Sequence, residues 1–216
     1  NHNLEEYTMW FVGNTETGFT VNKARGLTIG DVQYPRNIFV LWSKEELAEI
    51  GIKPYSEVHP DQRYYTSGAL TRTETDGDMV GTYAAVAKDV DQLKDTMLSS
   101  VKSIAGSLQS QVDWYWSRAA KGGTAVPADV ATHATAIYTV MDAKESAIAA
   151  LSDLAAVIAY QNKPMVETRK IKHTSDEGVE TYGPETETHD REVDQVTHGW
   201  PSLEEADPAF VSLVDA

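Results

Sequence analysis

The residues whose types could do chemistry are scattered along this chain. The six imidazoles are His2, His59, His133, His173, His189 and His198. No two of them form a His-x-x-x-His pair and none lies in a Glu-flanked zinc motif, so no metal centre is expected and all six are read as surface or packing residues. Asp76-Gly77-Asp78 places two carboxylates in a turn, but a calcium loop needs further oxygen ligands and a distal Glu at fixed spacing. The 33 acidic residues make chance carboxylate pairs common. No spacing, however, sets a nucleophile beside a base or two carboxylates across a cleft. Ser43 and Ser117 lack the strand-turn-helix context of a nucleophile elbow, and no Gly-rich phosphate loop is present. Trp114-Tyr115-Trp116 invites a sugar-stacking reading. Consecutive aromatics near a helix end point in different directions, though, and more often close a helical core. The expectation is a chain with no catalytic residue, no cofactor and no metal.

Composition narrows the partners. Eighteen basic residues against 33 acidic ones leave a formal charge of -15. Nucleic-acid affinity comes largely from Lys and Arg neutralising phosphates, so nucleic acid and anionic membranes are unfavoured partners. The absence of cysteine removes disulfides, thiolate nucleophiles and Cys-ligated zinc. No apolar run approaches the roughly 20 residues that cross a bilayer, and Asn1–Glu6 lacks the basic-then-apolar order of a signal peptide. An apolar content of 41% with five tryptophans argues that most of the chain folds.

The elements that would position side chains follow from pattern. Tyr7 to Val12, Phe19 to Val21 and Leu27 to Ile29 read as short strands, rich in aromatic and β-branched residues and separated by Gly-containing turns. Ser43 with Glu46 forms a capping-box signature, and Gly51 closes the short helix that follows. Residues 55 to 82 read as one more hairpin or an extended linker, with a turn at Asp76-Gly77-Asp78.

Val90, Leu93, Met97, Val101, Ile104, Leu108, Val112, Tyr115 and Ala119 recur at steps of three and four, the stripe of an amphipathic helix. Their mean step lies nearer 3.6 than 3.5, which disfavours a simple left-handed coiled coil. Lys121-Gly122-Gly123 ends that helix, Pro127 opens a second, and Gln161-Asn162-Lys163-Pro164 stops it. Two helices of about 33 residues, about 50 Å each at 1.5 Å per residue, should fold back antiparallel. Alanines along the second leave apolar surface for a partner.

Beyond Pro164 the stretch 161 to 216 carries five basic and thirteen acidic side chains and reads as mostly loop, with a strand conceivable over Val166 to Lys172. The expected architecture is therefore α+β. A small β-rich docking module with a short helix occupies 1–82, a long antiparallel helical hairpin 83–160, and an acidic, mostly irregular segment 161–216 with an apolar anchor at 200–216.

The string Gly30-Asp31-Val32-Gln33-Tyr34-Pro35-Arg36-Asn37-Ile38-Phe39, followed by Trp42-Ser43-Lys44-Glu45-Glu46-Leu47-Ala48-Glu49-Ile50-Gly51-Ile52, resembles a small N-terminal module of tailed-phage tail and tail-fibre-associated proteins. In that module a G-V-Q-Y-P-x-N turn precedes a helix of the E-E-x-A-x-x-G-I kind. Val112-Asp113-Trp114-Tyr115-Trp116-Ser117-Arg118-Ala119, with Gly122, Thr124, Val126, Pro127 and Ala128, looks like the Asp-Trp and V/I-P region of phage tail assembly chaperone-like proteins. The resemblances cover about a third of the chain. They imply a virion structural or adaptor protein of the tail or tail fibre, assembled in the host cytoplasm. Its partners would be other tail or fibre proteins and copies of itself. The alternative implied is an assembly chaperone absent from the mature particle. Tyr34, Pro35, Trp42, Trp114, Trp116, Trp200 and Phe210 are the expected interaction residues.

Overall fold

The computed structural model describes residues 9–175, 180–202 and 210–215. The chain mixes helix and strand, β-rich at its N-terminal end, and divides into two compact units, Asn1–Lys88 and Asp89–Ala216.

In the first unit, β1 (Trp10–Val12) pairs antiparallel with β2 (Phe19–Val21) on one side and with β5 (Ile52–Val58) on the other. β5 runs parallel to β7 (Asp78–Ala87), which forms a hairpin with the edge strand β6 (Tyr65–Thr75). The sheet order is β2-β1-β5-β7-β6. The β6–β7 turn places Asp76 at φ 52° and Gly77 at φ 81°, the left-handed pair that an Asp-Gly two-residue hairpin requires. A two-stranded ribbon, β3 (Leu27–Ile29) with β4 (Val32–Tyr34), leads into α1 (Ile38–Leu41) and α2 (Lys44–Glu49).

The predicted capping box is present: Ser43 Oγ accepts from the Glu46 backbone N–H at 3.2 Å, and Glu46 Oε2 accepts from the Ser43 N–H at 2.7 Å. Trp10, Val12, Val21, Leu27, Ile38, Phe39, Leu47 and Ile52 form the core of this unit. Phe11, Tyr55 and Met79 make a second cluster. Alternation along β1 accounts for the division, since Trp10 and Val12 share a face and Phe11 takes the other.

In the second unit, α3 (Val90–Ser110) packs on α5 (Ala128–Ala149), flanked by α4 (Asp113–Ala120) and α6 (Leu154–Gln161). The helices run antiparallel. Lys94 Nζ reaches the Ala149 carbonyl at 3.0 Å, whereas Gln109 Nε2 reaches the Ala134 carbonyl at 2.8 Å. Met97, Val101, Ala105, Val112, Val130, Ala134, Ile137, Ile148 and Val157 are buried. The predicted stripe from Val90 to Ala119 is buried or half-buried throughout.

Each expected 33-residue helix is divided in two. The first breaks at Val112, which turns fully inward at φ -112°. The second breaks at Asp153, whose extended backbone and side-chain bond to the Ala156 N–H at 2.8 Å start α6 afresh. The N-terminal unit runs past the expected boundary at 82 because β7 continues to Ala87.

The largest correction concerns residues 161 to 216, expected to be mostly irregular. β8 (Lys163–Thr174), β9 (Glu180–Val193) and β10 (Phe210–Asp215) form an antiparallel sheet in the order β10-β8-β9. Pro164 lies inside β8 and does not merely stop a helix. The strands escape a hydrophobic-pattern reading because β9 is polar and its described side chains are almost all exposed. Of the expected N-terminal strand and C-terminal anchor, residues 7–8, 203–209 and 216 lie outside the described residues.

Candidate functional site

Among the described residues, two clusters gather chemistry-bearing side chains, and a third holds a buried cation. On the helical unit, Asp113 opens α4 and presents Trp114 and Trp116 at 51% and 40% exposure. The Arg118 guanidinium lies 4.6 Å from the Trp114 ring centre and 5.3 Å from that of Tyr115, and these two rings stand 3.9 Å apart. Trp116 shares a groove of about 470 Å³ with Tyr138 of α5, which is 53% exposed, and with Gln109, Asp113 and Thr135. The groove adjoins an uncharged strip of α5 that includes Ala131, Thr135 and Thr139. Large exposed aromatics beside a depression have the character of contact anchors.

On the N-terminal unit, the face of the sheet that carries Phe11 also carries a polar network. Glu57 lies in β5 and His59 is the first residue past its end, and their side chains meet on one side. The His59 Nε2 atom lies 3.4 Å from Glu57 Oε2, and its Nδ1 lies 3.3 Å from Ser67 Oγ on β6. The Tyr83 ring stacks on the imidazole at 4.4 Å and 15°. Tyr55 donates its hydroxyl to Glu57 Oε1 at 2.9 Å, and Tyr83 donates to Oε2 at 3.4 Å. Burial, reinforced by the bond to Glu57, raises the Tyr55 pKa above its ordinary value. Gly81 makes this arrangement possible, because a Cβ there would lie 2.2 Å from the Tyr55 hydroxyl.

The third cluster surrounds Lys144 of α5, 9% exposed. Its amine donates to the carbonyls of Gln195 and His198 in the turn after β9 and lies 5.5 Å from the Trp200 ring centre. Burial lowers the Lys144 pKa, opposed by the Asp194 carboxylate. Burial and the adjacent Lys144 charge lower the His198 pKa. These contacts fasten a turn to a helix and leave the amine fully engaged.

The expected interaction residues fall into different roles. Trp114 and Trp116 are exposed at the groove. Tyr34 and Trp42 pack edge to face at 5.9 Å beside the N-terminal core, and Pro35 is exposed at the start of the turn to α1. Trp200 is half-buried, its indole N–H donating to the Val196 carbonyl at 2.9 Å. Phe210 begins β10 opposite Arg169 of β8. Asp76 and Asp78 meet an amine: Lys44 Nζ lies 2.6 Å from Asp78 Oδ1 and donates to the Asp76 carbonyl at 3.1 Å.

Sequence reasoning missed the Glu57–His59–Ser67 network and Tyr138. The Glu-x-His spacing at a strand end was the available signal for the first, since alternate residues share a face. No protein-family model, curated protein or solved structure matches this chain.

Proposed function

We propose that this chain is a structural or adaptor component of a phage particle, in the tail or tail fibre, working through protein-protein contacts that include copies of itself. The observation that carries the reading is the groove between α4 and α5, where Trp116 and Tyr138 remain exposed beside an uncharged strip of helix. A chain with formal charge -15 repels its own copies over most of its surface. An uncharged strip is where a second acidic chain can approach at least cost. The resemblance of Gly30–Ile52 to a phage tail module supplies the setting.

Mass spectrometry of purified particles tests the setting, and recovery of this chain in fixed stoichiometry is the expected result. Its absence from particles, together with co-purification with a fibre protein from infected cells, overturns the virion reading in favour of an assembly chaperone. Sedimentation of the full chain beside Trp116→Ala and Tyr138→Ala variants tests the surface. The variants should shift the population towards monomer.

A further inference from the structure

We propose that Ser67, His59 and Glu57 form a surface acyl-transfer site acting on short-chain carboxylic esters, a capacity that goes beyond the adaptor reading and does not depend on it. It also revises the sequence-based expectation of no convergent chemistry. The order of groups is that of a nucleophile, a base and an orienting acid. With the Nε2 proton facing Glu57, the Nδ1 lone pair faces the Ser67 hydroxyl 3.3 Å away. That spacing is typical of a catalytic pair before substrate tightens it.

Several independent features hold this geometry. Glu57 accepts hydroxyl protons from Tyr55 and Tyr83, so its carboxylate is fixed while one edge remains towards His59. The stacked Tyr83 ring sets the plane of the imidazole. The strand register shifts just after the serine: Ser67 faces Ala85 and Leu70 faces Tyr83, so Gly68 and Ala69 together oppose Ala84. Such a bulge leaves a backbone amide outside the ladder. The oxyanion donor would come from this bulge, the next residues in sequence after Ser67. Gly68 has no room for a side chain, since a Cβ would meet Val86 at 2.8 Å and the Ala84 carbonyl at 3.1 Å.

The reaction balances without an added cofactor. His59 Nδ1 takes the Ser67 proton as Oγ bonds to the ester carbonyl carbon. Collapse of the tetrahedral intermediate breaks the bond to the alkoxide, which leaves with the proton from His59. Water, deprotonated by His59, then attacks the acyl-serine; the carboxylic acid departs and Oγ recovers its proton. The neighbours select the substrate. Ser67 is exposed and faces the small side chain of Ala85 on an open sheet, which suits an acetyl-sized acyl group on an alcohol of any length.

The test uses the full chain with p-nitrophenyl acetate and, separately, a fluorophosphonate probe followed by peptide mass spectrometry. The expected result is a phosphonyl adduct on Ser67 and hydrolysis that falls roughly 100-fold in Ser67→Ala and in His59→Ala, the scale of positioned acid-base catalysis. Both side chains are exposed, so circular dichroism should show the variants folded. Glu57→Gln, a change to a positioning residue, should lower the rate, and Glu57→Asp, which keeps the carboxylate, should recover part of it. Absence of the Ser67 adduct, or variant rates equal to wild type, overturns the proposal.

Discussion

The side-chain amine of Lys144, on α5, donates to the backbone carbonyl of His198 at 2.6 Å and so holds the chain leaving β9 against the helix. A second bond reaches the Gln195 carbonyl. Lys144→Met keeps most of the side-chain volume but leaves both carbonyls unpaired. The expected loss is about 1–3 kcal/mol for each carbonyl that finds no water, read as a lower midpoint in urea unfolding. Because burial depresses the Lys144 pKa, the folded state releases its proton more readily than the unfolded chain. The charge on this residue therefore subtracts from stability below its folded pKa, against the gain from the two bonds. The opposition fades as pH rises towards the ordinary lysine value, a slope that the methionine variant should lack.

Glu167 of β8 gives the opposite limb. It accepts from Arg191 at 2.7 Å and from Arg169 at 3.1 Å, and the Arg191 bond is the foremost cause of its lowered pKa. A depressed carboxylate contributes stability above its unfolded pKa and loses it as pH falls through the folded one. Glu167→Gln should flatten the acid side of the stability profile of the C-terminal unit, followed by tryptophan fluorescence from pH 6 downwards. An unchanged profile would show that the two arginines do not act through this carboxylate.

Packing and contact are separable on one helix. Ile137 is fully buried on α5 while its neighbour Tyr138 is 53% exposed. Ile137→Ala should cost about 2–5 kcal/mol through lost transfer energy and the cavity left behind. Tyr138→Ala should stay within about 0.5 kcal/mol as a surface change while altering self-association. Urea melts and sedimentation on the same two proteins distinguish the roles.

Ser43→Ala removes one arm of the box that starts α2. The expected cost is about 1 kcal/mol, measurable as a lower melting temperature of the N-terminal unit, and Ser43→Asp should recover most of it.

Legibility in the sequence followed the strength of local signals. Phe19–Val21, Leu27–Ile29, the Ser43/Glu46 box and the stop at Gly51 lie where pattern places them, because each is set by residues a few positions apart. The helix breaks were harder. Val112 continues the apolar stripe, so periodicity runs through a residue whose N–H bonds the Gln109 carbonyl in a tighter, three-residue turn. Around Asp153, the alanines on either side hid the cap signal carried by Ser152 and Asp153 themselves. β9 was illegible because its side chains face solvent and its order comes from the ladder with β8. The His59 network needed the parallel pairing of β5 with β7 and the return of β6, neither of which sequence spacing specifies.

That same topology constrains the order in which the N-terminal unit can assemble. β6 and β7 meet across a two-residue turn, so their pairing needs only microsecond-scale local closure. β1, by contrast, pairs with β5 in a register that joins Trp10 to Pro54. It must wait for the intervening ribbon and both short helices, a loop closure whose entropy is recovered only when the core around Trp10 and Ile52 seals. On a ribosome β1 emerges well before β5, and it would spend that interval with Trp10, Phe11 and Val12 uncovered.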